Sequence, residues 1–214
     1  MSFRHCRPLT APLALAALLL AGCADRIVQL RYEPDDRIER LAAAQGVTVF
    51  RFADSRGSEG DKDPLRVGGI YLTYGNRVAR VMTPDPWPVT LVRALTEGFK
   101  ARGVQAVGVP DQTLESADVE LSTPFALGGE IKNFSTESRF TKSAHVSGVV
   151  RLYSRDGRLA VQRPISVRAS HFEPGTAVFA TAEPLEGLIN EALRDFVRRV
   201  VQDPEITRRL AAAR

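Results

Sequence analysis

His145-Val146-Ser147-Gly148-Val149-Val150-Arg151-Leu152 decides the fold, because its residue types alternate with a period of two. Val146, Gly148, Val150 and Leu152 share one side of an extended chain, and His145, Ser147 and Arg151 share the other. Such a strand has one face in a core and one in water, the pattern of an antiparallel sheet covered on one side. Upstream, Leu127, Gly129 and Ile131 alternate with Glu130 and Lys132 in the same way. Downstream, Arg155-Asp156-Gly157 turns the chain into Leu159 to Ala169, where Leu159, Val161, Ile165 and Val167 share a parity. Arg163-Pro164 interrupts that parity, and proline cannot donate to a ladder, so this strand is expected at an edge or with a bulge.

A one-sided sheet needs a cover, and two stretches supply it. Glu183-Pro184 opens a helix whose Leu185, Leu188, Ile189, Ala192, Leu193, Phe196, Val197 and Val200 form one broad apolar stripe. Asp85-Pro86-Trp87-Pro88 offers a cap and two prolines for a second helix, with Leu91, Val92, Leu95 and Phe99 on one face up to Gly103. The expected class is therefore α+β: two layers, a mostly antiparallel sheet with two main helices packed on one face.

Further strands are expected at Val47 to Phe52 and Gln105 to Val109, and a hairpin at Val67 to Thr73 and Arg77 to Met82 around Tyr74-Gly75-Asn76. Ala53 to Pro64 has the composition of a mobile loop, and Asp111 to Ala117 is polar and irregular. Gly68-Gly69 and Gly128-Gly129 fall inside strands, where a bulge or close backbone approach accounts for them better than a ligand. Asp203-Pro204 stops the last long helix and caps a short terminal one.

The N-terminus has a different character. Arg4, His5 and Arg7 precede an almost uncharged run from Pro8 to Ala21, which has the layout of an export signal and is too short to span a bilayer. It closes on Leu20-Ala21-Gly22-Cys23, which resembles the cleavage box of bacterial lipoprotein precursors. The resemblance implies cleavage after Gly22 and acylation of Cys23. Two or more acyl chains hold a protein stably on a membrane, where one holds only marginally. Ala24, rather than Asp, follows the cysteine, and by the same resemblance directs the protein to the outer membrane. The chain thus divides into 1–22, a signal peptide; 23–46, a lipidated N-terminus and tether without sustained periodicity; 47–203, a periplasmic α+β domain; and 204–214, a short C-terminal helix.

Cysteine usage agrees, since Cys6 leaves with the signal and Cys23 is consumed by lipid, so the mature domain contains no disulfide. The formal charge of +4 falls close to neutrality once Arg4 and Arg7 are removed, which gives no reason to expect a nucleic-acid partner.

Three stretches resemble the YajG-type outer-membrane lipoproteins of Gram-negative bacteria: Leu20 to Cys23, Leu91 to Gly103 with its Ala101-Arg102-Gly103 ending, and Ile189 to Arg214 with Gln202-Asp203-Pro204-Glu205-Ile206. The likeness covers most of the mature chain, while the loop Asp54 to Pro64 and the prolines from Pro84 to Pro88 depart from it. It supplies no catalytic residues.

Chemistry is sparsely signalled. There is no Gly-x-Ser-x-Gly elbow, no phosphate-binding Gly-rich loop and no dinucleotide fingerprint. The mature chain carries only His145 and His171, and although His171 and Glu173 could share one side of a strand, no third ligand has suitable spacing. No catalytic residue, metal or cofactor is therefore expected. Arg151, Arg155, Arg158 and Arg168, with Arg163, are candidates for a surface that binds an anionic partner, if strand pairing gathers them. Arg194, Arg198 and Arg199 sit beside Glu191 and Asp195 as a solvated helix face, and Tyr71, Tyr74 and Trp87 suit either an interface or the closed end of a core. The expected function is a non-enzymatic outer-membrane lipoprotein, anchored through acylated Cys23, whose domain binds another envelope protein or lipid. A small-ligand or lipid carrier is the alternative, and an envelope hydrolase a third.

Overall fold

The computed structural model describes residues 25–57, 62–71, 76–114, 121–138, 141–172 and 182–211. Its strands, in chain order, are β1 (Arg26–Ile27), β2 (Val47–Arg51), β3 (Ala53–Asp54), β4 (Arg66–Tyr71), β5 (Arg77–Met82), β6 (Ala106–Thr113), β7 (Phe125–Ser138), β8 (Thr141–Ser154) and β9 (Leu159–Phe172). Its helices are α1 (Trp87–Ala101), α2 (Ala182–Val201) and α3 (Pro204–Ala211). All the strands belong to one sheet with the helices packed against it, which is the expected α+β class.

The alternation over residues 145–152 belongs to a longer strand. β7, β8 and β9 are each 14 residues long and pair antiparallel in succession. Val146, Val150 and Leu152 of β8 meet Ile131, Phe134 and Leu127 of β7 and Val161, Ile165 and Val167 of β9 in one buried layer. Stability comes from that layer closing against Leu185, Ile189, Leu193, Phe196, Val197 and Val200 of α2, all fully buried. Among the described strands β9 pairs only with β8, so Pro164 sits on an edge strand, where its missing N–H costs no ladder bond.

The other edge of β7 is divided. β2 pairs with Phe125–Leu127, β3 with Glu130–Ile131 and β4 with Thr136–Ser138, each in parallel. β6 then extends the sheet beyond β2, and β5 and β1 extend it beyond β4. Antiparallel pairs hold most of the laddered residues, but these parallel additions have no signature in residue alternation. Gly68 and Gly129 serve the close approaches expected of them: at φ +152° and +141°, a Cβ would strike the Thr136 and Val149 backbones respectively.

Two local expectations are corrected, and one open alternative is decided. Asp85 does not cap α1; Pro86 occupies that position with no side-chain cap bond, and Pro88, lacking an N–H, leaves one donor fewer to satisfy. β6 runs on to Thr113 through a register shift opposite Phe50 and Arg51, so Asp111 to Thr113 is strand rather than irregular. Trp87 is fully buried and stacks on Phe134, ring centroids 4.9 Å apart, so it closes the core and takes no part in an interface. The Arg56 guanidinium lies 4.8 Å from the Trp87 ring, grips the Asp54 carboxylate and donates to the Arg66 and Asp63 carbonyls. That buried, fully used cation orders much of the stretch expected as a mobile loop. Tyr74, the 72–75 turn and Glu173 lie outside the described residues.

The largest difference concerns the tether. From Asp25 onward the segment expected to stand free is a strap across the helices, with Val28 fully buried and Ile38 8% exposed. Its main chain is tied at intervals: Val28 N to Met82 O, Gln29 N to Glu186 Oε2, Arg31 N to Asn190 Oδ1, Leu41 N to Arg102 O and Gln45 N to Leu210 O, each at 2.9 Å. The expected division at residue 46 therefore does not separate two bodies. The short C-terminal helix belongs to the same body, through buried Ile206 and Leu210. Asp203 caps it as expected, accepting from the Glu205 and Ile206 N–H groups.

Two outcomes follow from this packing. Gly98 of α1 faces α2, where a methyl group would come within 2.6 Å of Val197 Cγ1 and 3.0 Å of Tyr32 Oη. Gly98→Ala is expected to destabilise the domain by about 1–3 kcal/mol through overpacking, measured by denaturant unfolding. Asp35 accepts a hydrogen bond from the Arg37 N–H at 2.9 Å and pairs with Arg198 at 2.7 Å. The Arg37 backbone bond chiefly holds its carboxyl below the usual range, Arg198 assisting and partial burial opposing. A depressed folded value stabilises above the unfolded carboxylate range, about 3.9, and the contribution is lost as pH falls through the folded value. The hydrogen-exchange protection factors of residues 35–38, observed rates corrected for the pH-dependent intrinsic rate, should therefore hold from pH 7 to about 5 and fall below about 4; Asp35→Ala, which removes the acceptor, should give low protection throughout.

Candidate functional site

The expected arginine surface depends on strand register, which sets Arg168 apart from Arg151, Arg155 and Arg158. Arg151 stands opposite Gly128 and Gln162, whereas Arg168 stands opposite His145, six residues along β8 and about 20 Å away. Arg151 is also occupied: it donates to Gln162 Oε1 at 3.2 Å and to Glu130 Oε1 at 3.1 Å, while Ser55 donates to the other Glu130 oxygen. This polar ladder ties β7, β8 and β9 to the residue after β3. Arg155 and Arg158 lie at the β8–β9 turn, where Arg158 is largely exposed and pairs with Asp156 at 3.2 Å. Arg163 shares the core-side parity and pairs with Asp203 at 3.1 Å, bracing β9 against the start of α3.

What the register does assemble on the outer face is a polar strip. Ser135, His145 and Arg168 form one row, Asn133, Ser147 and Ser166 the next, and Glu137, Ser143 and Ser170 another. His145 Nε2 lies 3.0 Å from Ser166 Oγ, and burial, with Arg168 nearby, pushes the imidazole below its ordinary value, leaving it neutral at neutral pH. This face presents hydroxyl, amide and imidazole groups that can hydrogen-bond a polar partner.

A groove of about 820 Å³ runs between the strap and α2. Glu33, Asp35, Asp36, Glu191 and Asp195 line it together with Arg37, Arg194, Arg198 and His171. Arg198 bridges Asp35 and Asp195, both at 2.7 Å, so two of the carboxylates are engaged in ion pairs. The sequence places Arg194 and Arg198 on a solvated helix face, where Arg194 is indeed exposed, but that reading misses that the strap engages Arg198. The available signal was Asp35-Asp36-Arg37, an Asx-turn pattern inside the segment read as a tether. A second cavity, about 220 Å³, opens where β4 meets β7, lined by Arg56, Arg66, Lys132, Tyr71 and Glu137 among others. Among the described residues no group of three or more His, Cys, Asp or Glu side chains is placed to hold a metal ion.

No family model matches the chain, and no curated protein matches it. Among solved structures it is similar to a Xanthomonas campestris protein of the DUF330 family, with 13% identity, a TM-score of 0.61, and coverage of 86% of this chain and 96% of that one. It is also similar to an uncharacterised protein, with 12% identity, a TM-score of 0.52, and coverage of 84% and 98%. At these identities the likeness shows a shared fold, which extends over nearly the whole of both neighbours.

Proposed function

We propose that this chain is an acylated lipoprotein of the bacterial outer membrane, akin to the YajG type, whose domain faces the periplasm and binds another envelope component without catalysing a reaction. The observation that carries this reading is Leu20-Ala21-Gly22-Cys23 set directly against a short apolar run with a basic start, and followed by Ala24. No described helix is long and apolar enough to cross a membrane. Attachment then falls to the lipid on Cys23, with two or more acyl chains making it stable.

The polar strip on β7–β9 and the edge strand β9 support a binding role, since an edge strand offers main-chain donors and acceptors to an added strand. The charged linings of the grooves favour a polar partner over a lipid carried in an apolar pocket.

Replacing the anchor tests the first half: Cys23→Ala should move the protein from the membrane to the soluble periplasmic fraction, and retention on the membrane would remove the lipoprotein reading. For the second half, a photo-crosslinking residue at Gln162 or Arg168 in intact cells should yield a discrete adduct with one envelope component. Recovery of monomer alone, under conditions that capture known envelope pairs, counts against it.

A further inference from the structure

The acylated cysteine and the folded domain are separated by a single residue. Asp25, the first residue of the described fold, forms a two-point ion pair with Arg80, both bonds at 3.0 Å, and β1 follows at once in register with Val81 and Met82. The ion pair is partly exposed and would hold little by itself. The attachment is made firm by fully buried Val28, its N–H bond to Met82, and the bonds from Gln29 and Arg31 to α2. An extended chain gains at most about 3.6 Å per residue, so the Cα of Asp25 lies within roughly 7 Å of the Cα of Cys23. A rigid body with a surface point held that close to a bilayer must turn the surface around that point toward it.

We propose that the β1–β5 edge of the sheet is the face that lies on the phospholipid headgroups; this rests on the reading of Cys23 as acylated. The side chains at that edge suit the partner. Ile27 is 64% exposed, the most exposed large apolar side chain among the described residues, and can enter the headgroup boundary. Arg26, Arg77 and Arg80 stand on the two strands against the carboxylates of Asp25 and, beside Gln29, Glu186, a cationic excess that anionic phosphates attract. β1 runs parallel to β5, so its N-terminal end points toward Arg77 and the β4–β5 connection. The β8–β9 turn with Arg158 lies at the opposite end of the long strands. It is level with Phe125, ten residues and about 33 Å along β7 from Ser135. The lipid therefore fixes an orientation as well as an address, with the β8–β9 turn directed into the periplasm.

The test uses full-length acylated protein in phosphatidylethanolamine–phosphatidylglycerol vesicles containing a quencher-bearing lipid, with one fluorophore each at Ile27→Cys, Arg77→Cys or Arg158→Cys. Labels at 27 and 77 should be quenched severalfold more than the label at 158. Acylated protein, its mass confirmed, with equal quenching at all three positions overturns the orientation alone. Membrane-extracted protein whose mass lacks acyl groups overturns the anchor and this inference together.

Discussion

Strand β7 is the constraint on which the rest of the structure depends. One of its edges is filled by β8 over almost its whole length, while the other is shared among β2, β3 and β4, which arrive in chain order. A register shift between Ile131 and Asn133 bends the strand where this division falls, allowing the core-facing parity to pass from Ile131 to Phe134. Main-chain groups are thereby laddered along one edge and at three places on the other, and the N-terminal half of the chain is welded to the C-terminal hairpins. Gly68 and Gly129 are needed because β4 and β8 approach this strand more closely than a side chain would permit.

Polar interactions do the secondary work of fastening what the sheet leaves loose. Arg56 is buried yet spends its donors on Asp54 and two carbonyls while lying over Trp87, so it joins the segment after β3 to the start of β4. Arg102 is similarly buried, donating to Val201 O and Thr207 Oγ1 while its own carbonyl holds Leu41 of the strap. Each cation links stretches remote in sequence. Removing either would leave carbonyls or a carboxylate without their partner in a poorly hydrated place, which costs more than the bond itself contributes.

Elements whose burial follows a simple period were legible in advance. The stripe on Leu185 to Val200 and the alternation from Ala144 to Leu152 in β8 appear because one face of each is apolar. Pro164 announced an edge because proline cannot serve a ladder on both sides. The strap was not legible: many of its contacts run through main-chain N–H and C=O groups, which every residue carries, and its buried Val28 and Ile38 and half-buried Leu30, Tyr32 and Leu41 follow no single period. The arginines of β8 and β9 were legible as outward-facing, apart from Arg163, but their spacing was not, because register depends on two strands at once.

The sequence by itself therefore determined the class of the fold, the positions of its long strands and helices, and the residues of the proposed anchor, since these rest on local periodicity, capping chemistry and contiguous motifs. The tertiary structure decided which strands lie parallel on the second edge of β7, that residues 25–46 are part of the domain, and where each arginine finds its carboxylate. Those outcomes depend on main-chain pairing and on distances between remote segments, and neither leaves a mark on the order of side chains along a single strand.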